Sequence, residues 1–222
     1  MLQVSSIDFL KALSKNNNKP WFDAHRKDYD SAKADFENFV GLLLKKSASF
    51  DKDLSELEIK QCTFRINRDI RFSKDKTPYK NNMGASLNRG GKKSVFAGYY
   101  FHLEPGGKSF AGGGLWMPEA ETLKKIRQEV DYNLDEFKTI IENKAFKKAY
   151  QALENTKETS LSSAPRGYEK DNPAFEWLKL KSFIATKPLP DKDIVAKDLE
   201  QNVIETFKAL KPLLDFLNRA ID

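Results

Sequence analysis

Val95-Phe96-Ala97-Gly98-Tyr99-Tyr100-Phe101-His102-Leu103-Glu104 reads as a strand with two unlike faces. Side chains alternate across a strand, so Val95, Ala97, Tyr99, Phe101 and Leu103 form one wholly apolar face. Phe96, Gly98, Tyr100, His102 and Glu104 form the other, which is amphipathic. One face for a core and one for something else is the pattern of an antiparallel sheet covered on a single side.

Working outward, strands are expected near 59–66, 69–73, 83–88, 95–104 and 109–115. Asn88-Arg89-Gly90-Gly91 and Pro105-Gly106-Gly107-Lys108 supply hairpin connections. An antiparallel meander is the simplest arrangement of these strands. On the N-terminal side, Ser5 or Ser6 can cap a short helix carrying Phe9, Leu10 and Leu13. Pro20 suits the first turn of a second helix, along which Trp21, Phe22, His25, Tyr29, Ala32, Phe36, Phe39, Val40, Leu43 and Leu44 recur every three or four residues. Helical spacing returns after Pro118, then a polar stretch from Asn155 to Asn172, a short helix over 173–180 and an extended piece over 182–188. A final helix opens at Asp191, and Pro212 should kink or restart it. No repeat or linker separates these parts. The reading is a single α+β domain over 1–222: N-terminal helices over 5–50, a sheet over 59–116 packed against several helices, and C-terminal helices with a short extended piece over 118–222.

The chain has 222 residues, 40% hydrophobic and 32% charged. That balance excludes a disordered chain and a membrane bundle, and no run approaches 18 apolar residues. Asp8 and Lys11 stand where a secretion signal needs an apolar stretch, so a cytoplasmic, soluble protein without membrane partners is expected. Cys62, the single cysteine, can form neither an internal disulfide nor a cysteine-based zinc site.

The 38 basic and 32 acidic residues are unevenly placed. Lys60, Arg65, Arg68, Arg71, Lys74, Lys76, Lys80, Arg89, Lys92 and Lys93 face only Asp69 and Asp75 in one segment, while the rest of the chain is slightly acidic. Such a concentrated field attracts an anionic small molecule or a polyanion. Arg65, Arg68, Arg71, Lys74, Lys76, Tyr79 and Lys80 are the expected ligand-binding residues, because guanidinium forks suit phosphate. The bland alternative is a solvated loop whose charges pair internally. If 64–73 is an unbroken strand, Arg68 points among Phe64, Ile66, Ile70 and Phe72. It then needs a carboxylate partner, or the strand bulges at 67–69.

Arg68-Asp69-Ile70-Arg71-Phe72-Ser73-Lys74-Asp75-Lys76-Thr77-Pro78-Tyr79-Lys80 resembles the signature of the domain of unknown function 2461 family. Asn18-Lys19-Pro20-Trp21-Phe22, His102-Leu103-Glu104-Pro105-Gly106-Gly107, Gly112-Gly113-Gly114 and Pro165-Arg166-Gly167-Tyr168 extend the resemblance along nearly the whole chain. It implies no catalytic residues, since the family is uncharacterised. Asn172 stands where its members often carry a histidine, which speaks against an essential ligand or base there.

His102 and Glu104 share a face about 7 Å apart by strand rise, a spacing compatible with acid-base work or a structural hydrogen bond. Gly112-Gly113-Gly114 suits close packing of backbone and fits no known phosphate loop, while Trp116 could wall a pocket. Two histidines on separate elements and one cysteine are too few for a transition-metal site, although Glu104 could hold magnesium through a bound phosphate. No cofactor and no oligomeric state can be read. The leading expectation is a binding domain for a phosphate-bearing anion. The alternatives are an enzyme using His102, Glu104 and Asp69 on such a ligand, and a nucleic-acid or protein interaction module presenting Phe72, Tyr79 or Phe96 for stacking.

Overall fold

The computed structural model describes residues 1–71 and 74–222. The chain opens with α1 (Val4–Lys15), α2 (Lys19–Ala24) and α3 (Arg26–Ser47), followed by a short 3-10 turn (Lys52–Leu54) and α4 (Ile59–Cys62). Three strands come next: β1 (Met83–Asn88), β2 (Gly98–Leu103) and β3 (Ser109–Leu115). After α5 (Ala120–Tyr132), α6 (Leu134–Glu142), α7 (Lys144–Tyr150) and α8 (Phe175–Leu178) the chain adds β4 (Phe183–Leu189). It closes with α9 (Asp191–Ile194) and α10 (Leu199–Ile221). The four strands form an antiparallel sheet in the order β1-β2-β3-β4, so the expected α+β meander is present.

Local chemistry explains the ends of the elements. The Asn18 side chain accepts from the Trp21 N–H and Pro20 occupies the first turn of α2, as their types favour. The expected single helix from Pro20 onward is instead broken at His25. There the imidazole Nδ1 lies 2.8 Å from the Trp21 carbonyl and the ring stacks on Trp21. Ser5 and Ser6 do not cap α1, which begins at Val4. Ser6 donates to Asp35 of α3 at 2.6 Å, tying the two helices together. Pro212 neither ends nor restarts α10, which runs on through it to Ile221.

The expected strand over 59–66 is absent. Glu58 and Gln61 form a capping box that starts α4, and only Thr63 bridges to β1, at Ala85. Residues 69–71 are not strand either; Phe72 and Ser73 lie outside the described residues. Between them, Asn67 pairs with Tyr79 and the Arg68 N–H donates to the Pro78 carbonyl, a narrow loop rather than a sheet strand. Ile66 is buried at 5%, but Phe64 and Ile70 are 41% and 39% exposed, so apolar alternation here marks no continuous buried face.

The apolar face of β2 is buried as its alternation requires. Tyr99, Phe101 and Leu103 are at most 1% exposed. Phe101 packs on Phe36 and Phe39 of α3, and Tyr99 packs on Phe207 of α10. Each such buried aromatic contributes roughly 1.5–3 kcal/mol. On the neighbouring strands the same inner face alternates small and large buried residues, Ala85, Ala111 and Ala185 with Leu87, Leu115 and Phe183, and α10 lies against β3 and α3. The contacts of Phe36, Phe39 and Phe207 fall on this side. Among the described residues no helix supplies a lining residue to the opposite face, which forms the floor of a cleft.

Candidate functional site

Register assigns the outer face row by row. Asn88, Gly98, Gly114 and Ile184 form one row, Ser86, Tyr100, Gly112 and Thr186 the next, and Gly84, His102, Phe110 and Pro188 the third. The centre of this floor is nearly free of side chains. A Cβ would meet the β4 carbonyl oxygens of Ala185 and Phe183 at 2.1 and 2.0 Å from Gly112 and Gly114, and that of Gly98 in β2 at 2.1 Å from Gly113, so the run of glycines is required by the close approach of β3 to both neighbours and leaves a trough as a by-product.

The walls come from outside the sheet. Phe64, Lys92, Ser94 and Phe96 stand at the β1 edge, Trp116 follows β3, and Glu154 stands at the β4 edge. Together they enclose about 680 Å3, inside the range of roughly 300–1,000 Å3 usual for small-molecule sites. Trp116 is 59% exposed at the rim, and the next residue, Met117, takes a positive φ of 40°. Left-handed backbone at a non-glycine residue is strained, and strain of this kind gathers at binding sites.

Three polar features face this space. The Tyr100 ring reaches across Gly84, where a Cβ would lie 2.4 Å from its hydroxyl. That hydroxyl has no hydrogen-bond partner among the described residues. Burial raises its pKa above the usual tyrosine value. His102 stacks on Phe110, and its Nε2 lies 3.0 Å from Glu104 Oε2. In a neutral imidazole the carboxylate would place the proton on Nε2 and leave the buried Nδ1, which has no hydrogen-bond partner among the described residues, as the acceptor. At the β4 edge the Thr186 hydroxyl donates to Glu154 Oε1 at 2.5 Å. The cleft is therefore polarised, with the Lys92 ammonium at one edge and the Glu154 carboxylate at the other.

The seven expected ligand-binding residues are not brought together here. Arg68 pairs with Asp75 at 2.7 Å and also donates to the Tyr79 carbonyl, with its side chain 26% exposed. Its carboxylate partner is thus real, although the buried strand face that called for one is not. Arg71 pairs with Asp69 at 2.7 Å, which holds the Asp69 carboxyl below its ordinary range. Lys76 donates to the Ile70 carbonyl and Lys80 to the Arg65 carbonyl. Burial, followed by the nearby Arg65 and Arg68 charges, pushes the Lys80 pKa down. Tyr79 is buried and stacked on Phe22, so it offers no face for a base. Lys74 is exposed. Arg65 lines a second cavity of about 290 Å3 beneath Phe64.

Of the catalytic candidates, His102 and Glu104 meet, but His102 alone of the three lines the cleft; Glu104 and Asp69 are not among its lining residues. Phe96 lines the cleft but is covered on one side by the Arg89 guanidinium, 4.1 Å from its ring centre. Alternation in β2 exposed Phe96, Tyr100 and His102 to view in the sequence, and Trp116 was recognisable as a wall. Ser86, Phe110, Glu154 and Thr186 were missed. The alternation of β1 and β3 could have found the first two; the last two depend on the distant pairing of β4.

Among the described residues no group of three or more His, Cys, Asp or Glu side chains is placed to hold a metal ion. Among the same residues no helix is long and apolar enough to cross a membrane. The model of a family described as a conserved hypothetical protein (DUF2461) matches residues 5–216. No curated protein and no solved structure matches the chain.

Proposed function

We propose, for a chain that belongs to the DUF2461 family, that it binds a small planar organic anion in the cleft on the open face of its sheet. The observation that carries this reading is the cleft itself. Its floor is a glycine trough bordered by Phe110, its walls are Phe64, Phe96 and Trp116, and the Tyr100 hydroxyl has no hydrogen-bond partner among the described residues. Aromatic walls around a flat floor favour a planar body, and a few convergent polar atoms fix its orientation.

Charge sets the direction of the ligand. Lys92 and the neighbouring Lys80 flank Phe64, with their ammonium groups 6.0 and 5.7 Å from the ring centre, so the anionic group belongs at the β1 edge. A hydrogen-bond donor belongs near Glu154 at the other edge. The basic segment thus contributes at the rim, while Arg68, Arg71, Lys76 and Lys80 tie their own loop together.

A second reading, an enzyme acting on the same ligand, is favoured by the buried Nδ1 of His102, which has no hydrogen-bond partner among the described residues. With Glu104 holding Nε2–H, this nitrogen could accept a proton from a bound molecule after a small movement of the ring. Binding is tested by amide NMR mapping with a set of planar organic anions. The reading expects shifts at Tyr100, His102, Gly112, Gly114 and Thr186; binders that shift only other regions would refute it. Turnover of such a binder that survives His102→Gln unchanged would refute the enzyme reading.

A further inference from the structure

The second cavity, of about 290 Å3, lies between α3 and residues 60–66, and it shares Phe64 and Lys92 with the sheet cleft. The two spaces therefore meet at Phe64 and Lys92. We infer that this cavity is the phosphate subsite of the cleft, so that the ligand is a phosphate monoester of a planar body, lying over Phe64 with its phosphate against Arg65. The inference rests on the reading of the cleft as a binding site.

Charge accounting supports the assignment. Lys33, Lys60, Arg65 and Lys92 line the cavity against a single carboxylate, Glu37. Lys33 is paired with Glu37 at 3.7 Å and Lys60 with Glu58 at 2.7 Å. Neither Arg65 nor Lys92 forms a salt bridge among the described residues, although the Arg65 charge lies near enough to Asp69 to help lower the pKa of its carboxyl. Lys92 spends two of its three N–H donors on the carbonyls of Lys60 and Thr63, each at 2.6 Å, which fixes the ammonium and leaves one donor over. Arg65 is exposed and has no hydrogen-bond partner among the described residues, so its whole planar fork is available. A rigid ammonium beside an unspent guanidinium matches the oxygens of a phosphate. Phe64 completes the argument: a 41% exposed ring held between two ammonium groups becomes covered if a ligand crosses it.

The test titrates 1-naphthyl phosphate, 1-naphthol and inorganic phosphate into the wild-type protein, Arg65→Ala and Trp116→Ala, followed by amide NMR. The phosphate ester should bind at least about tenfold more tightly than 1-naphthol, as expected for charge-assisted hydrogen bonds. Arg65→Ala should remove most of that gain and leave 1-naphthol unaffected. Trp116→Ala should weaken both naphthyl compounds. A phosphate gain unchanged within twofold in Arg65→Ala would overturn the subsite and leave the cleft reading standing. Inorganic phosphate that binds through Arg65 while 1-naphthyl phosphate shifts no cleft amide would show a phosphate site apart from the cleft and overturn the subsite, and the absence of binding by all three would overturn both readings.

Discussion

Tyr99 and Tyr100 are adjacent in β2 and point to opposite faces, so removing one hydroxyl at a time separates folding from binding. The Tyr99 side chain is 0% exposed, and its hydroxyl donates to Asp51 Oδ2 at 2.8 Å inside the core. Asp51 is itself only 8% exposed and also accepts from the Asp53 N–H, capping the 3-10 turn. Tyr99→Phe keeps the ring and its contact with Phe207 but leaves the carboxylate short of a donor. Losing a hydrogen bond to a charged group costs roughly 1.5–3 kcal/mol. For a chain of this size that is a fall in Tm of roughly 3–12 °C, at about 2–4 °C per kcal/mol. Tyr100→Phe removes a hydroxyl that has no partner among the described residues, so stability should change by no more than about 0.5 kcal/mol. Its effect should fall on ligands that occupy the cleft, whose affinity drops about two- to tenfold for one neutral hydrogen bond. Urea denaturation with a constant m-value reads the first effect, and NMR titration the second. If Tyr100→Phe lowers the midpoint as much as Tyr99→Phe does, the assignment of the two faces is wrong.

Other consequences concern the scaffold and its titrating groups. Gly114→Ala puts a Cβ 2.0 Å from the Phe183 carbonyl oxygen at a φ of 119°, so a loss near the upper end of about 1–3 kcal/mol is expected by denaturation; an unchanged midpoint would show that β3 and β4 are not so close. The Cys62 thiol is pushed up to about 11 by burial. The unfolded chain ionises first, so its contribution to stability is complete below about pH 9 and is lost as pH rises toward 11. Labelling by a thiol reagent at pH 8 should therefore be slow until denaturant is added. Asp191 accepts from the N–H groups of Gly107 at 2.8 Å and Gly106 at 3.0 Å, and these bonds, the Gly107 one foremost, hold its carboxyl below 3.8. This anchor is present above pH 3.8 and lost as pH falls through the lowered value. Amide exchange at the β2–β3 turn should quicken in acid, and an Asp191→Asn protein showing the same pH response would exclude this cause.

Strand alternation was legible because one face of β2 had to be buried. β1 and β3 fall at 83–88 and 109–115 because glycine- and asparagine-rich turns bound them. β4 was visible only as an extended piece, since pairing Ser109 with Leu189 is a long-range choice that no local pattern records. Residues 59–71 carry a plausible alternation, yet their backbone is governed by a capping box and by lysines bonded to carbonyls. Counting charges located the basic segment but not the use of its charges. That Asp75 takes Arg68 and Asp69 takes Arg71, leaving Arg65 unpartnered among the described residues, is decided by the path of the loop.

A crystal structure of the complex with the tightest planar organic anion from the NMR set tests the central claim most directly. The account predicts density lying flat over Gly98, Gly112 and Gly114 between Trp116 and Phe64, with the anionic group toward Lys92. Density confined to another hollow, such as that beside Lys147 and Trp177, with the cleft empty, would contradict it.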